Sequence, residues 1–398
     1  MIALRVGYTC HDAIPSNNTN TQQIFWTTSE VARLGHIVDL HVPALPDDAD
    51  VRASIARHYG APGGATPDGL SFVATSHRAS TSTSARAWFD LRVPWQFSRK
   101  THDLVWTRDP LAFASALQFR VPAVFETYRP DYARSARFKP WRIATIGHSR
   151  RMTWVGEHRL AGVITHSALA HDAFVEAGVP AERVLVAHNG FAPSLMEPRL
   201  SRDEARRSLG LSGDRPLAVY TGHVGPHKGT KAVVSLAAAL PDIRLVIVGA
   251  DGDAERQWVA ACGEQAGARN LTVVPRVHLG DVARYLYAAD CLLIPPTDEP
   301  LTRYRRTVLP MKVFSYMAAG RPILAPALPD LEEVLTHDQT AVLVPPDDAG
   351  LAARALRDLL GDPARAGRLA AAALDASREF TWEARARKIS SALQTWLA

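Results

Sequence analysis

An α/β fold of two Rossmann-like domains, each built on a parallel sheet and facing the other across an interdomain cleft, is what this chain of 398 residues predicts. Three observations carry that expectation. Short apolar runs alternate along the chain with stretches of helical spacing, the pattern of βαβ units. Hydrophobic residues make up 47% of the sequence, enough at this length to fill two cores, and no low-complexity tract interrupts them. A break marked by Pro193 and Pro198, between residues 191 and 202, separates one series of such units from the next.

Taken in order, residues 3–8 read as a buried strand, residues 20–34 as a helix stopped by Gly35, and residues 37–42 as the next strand. Residues 61–84, rich in Gly, Pro, Ser and Thr, read as loop with at most one short strand at 70–73. Apolar strands with polar ends follow at 103–109, 122–127 and 160–167, and another at 184–187. Beyond the break, strands at 217–221, 245–248, 271–274, 291–294 and 323–325 alternate with helices, as a parallel sheet requires. Pro310 suits the first turn of a helix that Gly320 and Pro322 end. The expected division is an N-terminal domain at 1–192, a second at 193–380, and a helix at 381–398 that crosses back to the first.

Composition excludes several classes. A net charge of +5 does not indicate a nucleic-acid-binding surface. No run of about 18 apolar residues occurs and no signal-peptide pattern opens the chain, so a soluble, cytoplasmic protein is expected. Cys10, Cys262 and Cys291 lack ligand spacing, which favours neither a disulfide nor zinc. Residues 134–159 carry seven basic side chains against Glu157, with Phe138, Trp141 and Trp154 among them. That mixture fits peripheral contact with the inner membrane face or an anionic acceptor; a solvated helix face is the plainer alternative.

Five segments resemble the signatures of family 4 retaining glycosyltransferases, group 1 enzymes of the GT-B fold. They are Val184-Leu-Val-Ala-His-Asn-Gly190, Tyr220-Thr-Gly-His-Val-Gly-Pro-His-Lys-Gly229, Leu245-Val-Ile-Val-Gly-Ala-Asp-Gly252, Ala288-Ala-Asp-Cys-Leu-Leu-Ile-Pro-Pro296, and the stretch 309–346 with its Ala318-Ala-Gly-Arg-Pro-Ile323 turn. The segment starting at Phe380-Thr-Trp-Glu also resembles the family's last helix. The resemblance implies metal-independent transfer of a hexose from a nucleotide diphosphate sugar, with retention, to a small-molecule, glycan or lipid-linked acceptor. The nucleotide sugar is then a substrate, and no cofactor is needed.

Lys228 and Lys312 are the candidate catalytic residues. Lys228 follows a turn rich in Gly and Pro and precedes a helix start, so cation and helix N-terminus address one anion. Lysine is also scarce, six residues against 39 arginines. Lys312, at the start of the next signature helix, matches a family position near the diphosphate or nucleoside. Gly222, His223, Gly225, Gly249, Val277, Arg303, Arg305, Thr307, Val308 and Ser315 complete the candidate donor-binding set, the arginines as bidentate phosphate partners. Acceptor candidates are Asn17, Asn18, Thr19 and Asn20, with helix capping as the alternative, and Glu126, Tyr128 and His148.

Three departures limit the resemblance. Thr307 and Ser315 stand where many relatives carry glutamates, His223 where they place an arginine, and the loop 10–23 lacks their glycine pair. Two other readings follow: a GT-B binding or scaffold subunit without turnover, and a nucleotide-sugar 2-epimerase.

Overall fold

The computed structural model of the chain describes residues 2–75, 83–97, 101–117, 121–134, 160–211, 213, 215–299 and 309–398. It divides into two compact units, Met1–Asn189 with Trp382–Ala398, and Gly190–Thr381.

Among the described residues, the first unit holds seven parallel strands: β1 (Arg5–Thr9), β2 (Ile37–Val42), β3 (Leu70–Ala74), β4 (Leu104–Thr107), β5 (Ala123–Thr127), β6 (Leu160–Thr165) and β7 (Val184–Val186). Their order is β3-β2-β1-β4-β5-β6-β7. The inner strands are apolar because helices cover both faces, and every residue of β4, β5 and β6 is buried. The final helix, Trp382–Leu397, packs on this sheet at a place the sequence prepares with a glycine. A Cβ at Gly162 would meet the Trp396 ring at 2.4 Å.

The second unit holds β8 (Leu217–Thr221), β9 (Arg244–Ala250), β10 (Leu271–Pro275), β11 (Cys291–Leu293), β12 (Ile323–Pro326) and β13 (Val342–Val344). All are parallel, in the order β10-β9-β8-β11-β12-β13. Only β13 has no counterpart among the expected strands. Its three residues run into Pro345-Pro346 and read as loop in the sequence.

In each sheet the strand order reverses once, between β1 and β4 and between β8 and β11. Such reversals open a crevice at the carboxyl ends of the strands, where doubly wound sheets bind ligands. Among the described residues, no helix is long and apolar enough to cross a membrane.

Candidate functional site

At the reversal in the second unit, a set of cations collects around Gly222, the residue that follows β8. Helix Lys312–Ala319 supplies Lys312 from its first position. Tyr316, one turn further along, accepts a hydrogen bond at its hydroxyl from the Thr221 amide at 2.7 Å, which ties that helix to the end of β8. The Lys312 Nζ lies 3.8 Å from the centre of the buried Tyr220 ring, a cation–π contact. Tyr220 in turn donates its hydroxyl to the His223 carbonyl at 2.7 Å, fixing the turn that follows.

Glycine is required at two points here. Gly222 has φ 137°, and a Cβ on it would stand 2.6 Å from the Lys312 Nζ. Gly249, near the end of β9 with φ 123°, approaches so closely that its Cβ would fall 2.4 Å from the Gly222 carbonyl oxygen. Small residues on two adjacent strands thus let the lysine reach the sheet end. Gly225 donates its amide to Thr230 Oγ1 at 3.1 Å, and Gly229, left-handed at φ 72°, caps helix Thr230–Ala239. Lys228, just before that cap, is exposed on a turn closed by its amide to the Gly225 carbonyl.

The cations act on one another. Burial first, and then the charge of Lys228, lower the Lys312 pKa to about 7. Among the described residues no carboxylate pairs with the Lys312 amine. Burial also lowers His223, helped by Arg276, Lys228 and Lys312, so at neutral pH this ring is largely uncharged. Its Nδ1 lies 3.2 Å from Arg276 Nη2, and the Arg276 Nε is buried without a partner among the described residues. Arg276 Nη2 also pairs with Asp251 at 3.4 Å, so among the described residues the buried charge left without a carboxylate is that of Lys312, an arrangement that an anion would complete.

Arg276 is a site residue absent from the candidates read from the sequence, because nothing in the string around it marks a cation at the sheet end. It follows β10, and its amide donates to the Ala250 carbonyl at 2.9 Å, which aims the side chain at His223. Val277, next to it, packs against the core. Ser315 is partly buried and donates its hydroxyl to the Lys312 carbonyl at 3.0 Å, leaving only its acceptor lone pairs for a ligand. Arg303, Arg305, Thr307, Val308 and His148 lie outside the described residues, as do most of residues 134–159.

The first unit assigns its polar candidates differently from the expectation. Glu126 has no exposed surface. Its Oε1 accepts from Gln23 Nε2 at 2.6 Å, His166 Nε2 at 2.8 Å and Arg385 Nη2 at 2.5 Å, and its Oε2 from the Tyr8 hydroxyl at 3.3 Å. Burial acts to raise its pKa, yet Arg385, His166 and Arg108 outweigh it and hold the carboxyl well below the usual range. With no exposed surface, Glu126 is not placed at an acceptor-facing surface; it anchors the last helix through Arg385. Burial lowers His166 to about 3, so this ring is neutral at pH 7.

Tyr128 is partly exposed at the end of β5, with the Arg108 guanidinium 5.8 Å from its ring centre. Asn17, Asn18 and Thr19 are exposed at the start of helix Thr19–Arg33, and Asn18 occupies the cap position without a side-chain capping bond. Asn20 donates to Asp12 Oδ2 at 3.0 Å. Next to this loop, at the reversal between β1 and β4, the His11 Nδ1 lies 2.9 Å from Asp109 and 3.1 Å from Asp90. Burial opposes the charge, but hydrogen bonds that the ring donates to Asp109 and Asp90 raise His11 to about 10. Among the described residues these three form the one group whose donor atoms lie close enough to share a metal ion.

Comparison with known proteins agrees with this architecture. The family described as "Glycosyl transferases group 1" matches residues 201–375, almost the whole of the second unit. That stretch is similar to the family, and with the relatives that follow it identifies a glycosyltransferase. A D-inositol 3-phosphate glycosyltransferase of Xylanimonas cellulosilytica is 28% identical over 365 residues, covering 86% of this chain and 78% of that protein. One from Thermobispora bispora is 26% identical over 310 residues, covering 73% of this chain and 68% of that protein. Among solved structures, sucrose-phosphate synthase from Thermosynechococcus elongatus has a TM-score of 0.74 at 18% identity, with 98% of both chains covered. HepE of Anabaena, solved with UDP and glucose, has a TM-score of 0.69 at 16% identity, covering 98% of this chain and all of that one. These structures share the fold of two Rossmann-like domains.

Proposed function

We propose that the chain transfers a hexose from a nucleotide diphosphate sugar to a small-molecule, glycan or lipid-linked acceptor, with retention of anomeric configuration and without a metal ion. One observation carries the reading: the Lys312 amine, poised near its own pKa, sits at the reversal of the second sheet beside Gly222 with Lys228 and Arg276 close by. Breaking the bond between sugar and diphosphate places negative charge on the leaving oxygen, and fixed cations lower that barrier. Lys312 takes up a full proton as the anion arrives, because the anion's charge offsets the burial, and the smaller repulsion from Lys228, that lower its pKa.

Lys228 adds its charge at the helix start, and Arg276 supplies the delocalised cation beside a neutral His223. In this reading retention follows from attack by the acceptor on the face the diphosphate leaves, so no carboxylate nucleophile is invoked. The first unit would hold the acceptor. HepE, whose fold is shared, was solved with UDP-glucose, which supports a uridine or related donor.

Mass spectrometry of nucleoside diphosphate released from a panel of UDP-, GDP- and ADP-sugars tests the reading. Release from at least one donor, lost in Lys312→Met, is the expected result. Absence of both turnover and donor binding across the panel would refute it, while binding without turnover would identify a scaffold subunit.

A further inference from the structure

Seven large apolar side chains are well exposed among the described residues, and three of them fall in one short stretch of the first unit. Trp88 is 63% exposed, Leu91 49% and Trp95 70%. Steps of three and four residues put them on one side of helix Thr83–Arg92 and its continuation, the 3-10 turn Val93–Gln96. The opposite side carries Phe89, Val93 and Phe97, which are buried in the core of this unit. The stretch is therefore seated firmly and still turns two indoles and a leucine outward.

Charge on that outward side is positive. Arg92 is exposed and holds its guanidinium 5.1 Å from the centre of the Trp88 ring. Between residues 83 and 97 the single acid is Asp90, which is buried and bound to His11. The bond between Asp90 and His11 also fixes where the patch lies. His11 follows the end of β1, so the helix is tied to the carboxyl end of the first sheet, the end at which a doubly wound sheet meets its ligands.

We propose that Trp88, Leu91, Arg92 and Trp95 form a docking surface for an anionic lipid bilayer. Indole rings with an arginine among them match the region between lipid headgroups and acyl chains, where the ring is half apolar and the cation meets phosphate. A net charge of +5 adds attraction to the same surface. A second copy of the chain is the competing occupant, and area argues against it. Three side chains offer a few hundred Å² at about 150–250 Å² for each aromatic, against the roughly 800 Å² per partner of a stable interface. This surface is independent of the transfer reading, since docking requires neither donor nor turnover.

Co-sedimentation of the full chain with vesicles tests it directly. On phosphatidylcholine vesicles containing about a third phosphatidylglycerol the wild type should pellet, and a Trp88→Ser, Trp95→Ser variant should partition about tenfold less. Far-UV circular dichroism and the melting temperature of the variant should stay unchanged, which separates lost docking from lost fold. Wild-type protein left in the supernatant on every vesicle would overturn the proposal, as would equal pelleting of the two proteins. A concentration-dependent dimer abolished by the same variant would assign the face to a second copy instead.

Discussion

At the scale of single residues, the account turns on an amine that lacks a carboxylate. Lys312 is lowered to about 7 in the folded chain, against about 10.4 for an unperturbed lysine. Between those values the folded state holds fewer protons than the unfolded state, so this group makes the ligand-free protein more stable as pH rises from about 7 to 10. Below pH 7 the cost of burying its charge is fully present. Urea unfolding should therefore show wild type less stable than Lys312→Met near pH 6, with the gap closing toward pH 10; a gap independent of pH would contradict the shift. Diphosphate affinity should move the other way, weakening above pH 7 as the free amine loses its proton. Arg276 shows what a motif leaves out. Its segment is unremarkable as a string, and only the parallel pairing of β9 and β10 brings the guanidinium to His223.

At the scale of elements, two glycines shape the site, and they should fail differently when altered. Gly222→Ala drives a Cβ into the flexible end of Lys312, so loss of activity with modest loss of stability is expected. Gly249→Ala meets a backbone carbonyl, which cannot yield as a side chain does, and should lower the melting temperature more. Thermal unfolding beside donor turnover distinguishes the two. Strands were the most legible feature of the sequence, because a buried parallel strand is a short continuous apolar run. Residues 37–42 and 217–221 were expected as the strands that the structure shows. β13 was not, since three residues ending in two prolines carry too little signal. Glu126 was misread for a related reason. A carboxylate at a strand end looks like a ligand contact until the distant Arg385 is seen to cover it.

For the whole molecule, that same pair ties the C-terminal helix to the first sheet across 259 positions of sequence. Glu126→Gln would leave Arg385 buried without its counter-charge, which costs about 3–5 kcal/mol, and should free the last helix before the rest of the unit unfolds. Hydrogen exchange over residues 382–397 reads that release, and a double Glu126→Leu, Arg385→Met variant should restore part of the loss. Because the Glu126 pKa is held below the usual range, its stabilising share persists above about pH 4 and disappears only as acid titrates the folded carboxylate. What the chain does rests on the other unit. Isothermal titration of UDP, GDP and ADP into wild type and Lys312→Met tests this most directly. The account predicts that one nucleotide binds the wild type and that the substitution weakens it by roughly 10- to 150-fold, the worth of one charged hydrogen bond at about 1.5–3 kcal/mol. Equal affinity in the two proteins would contradict it.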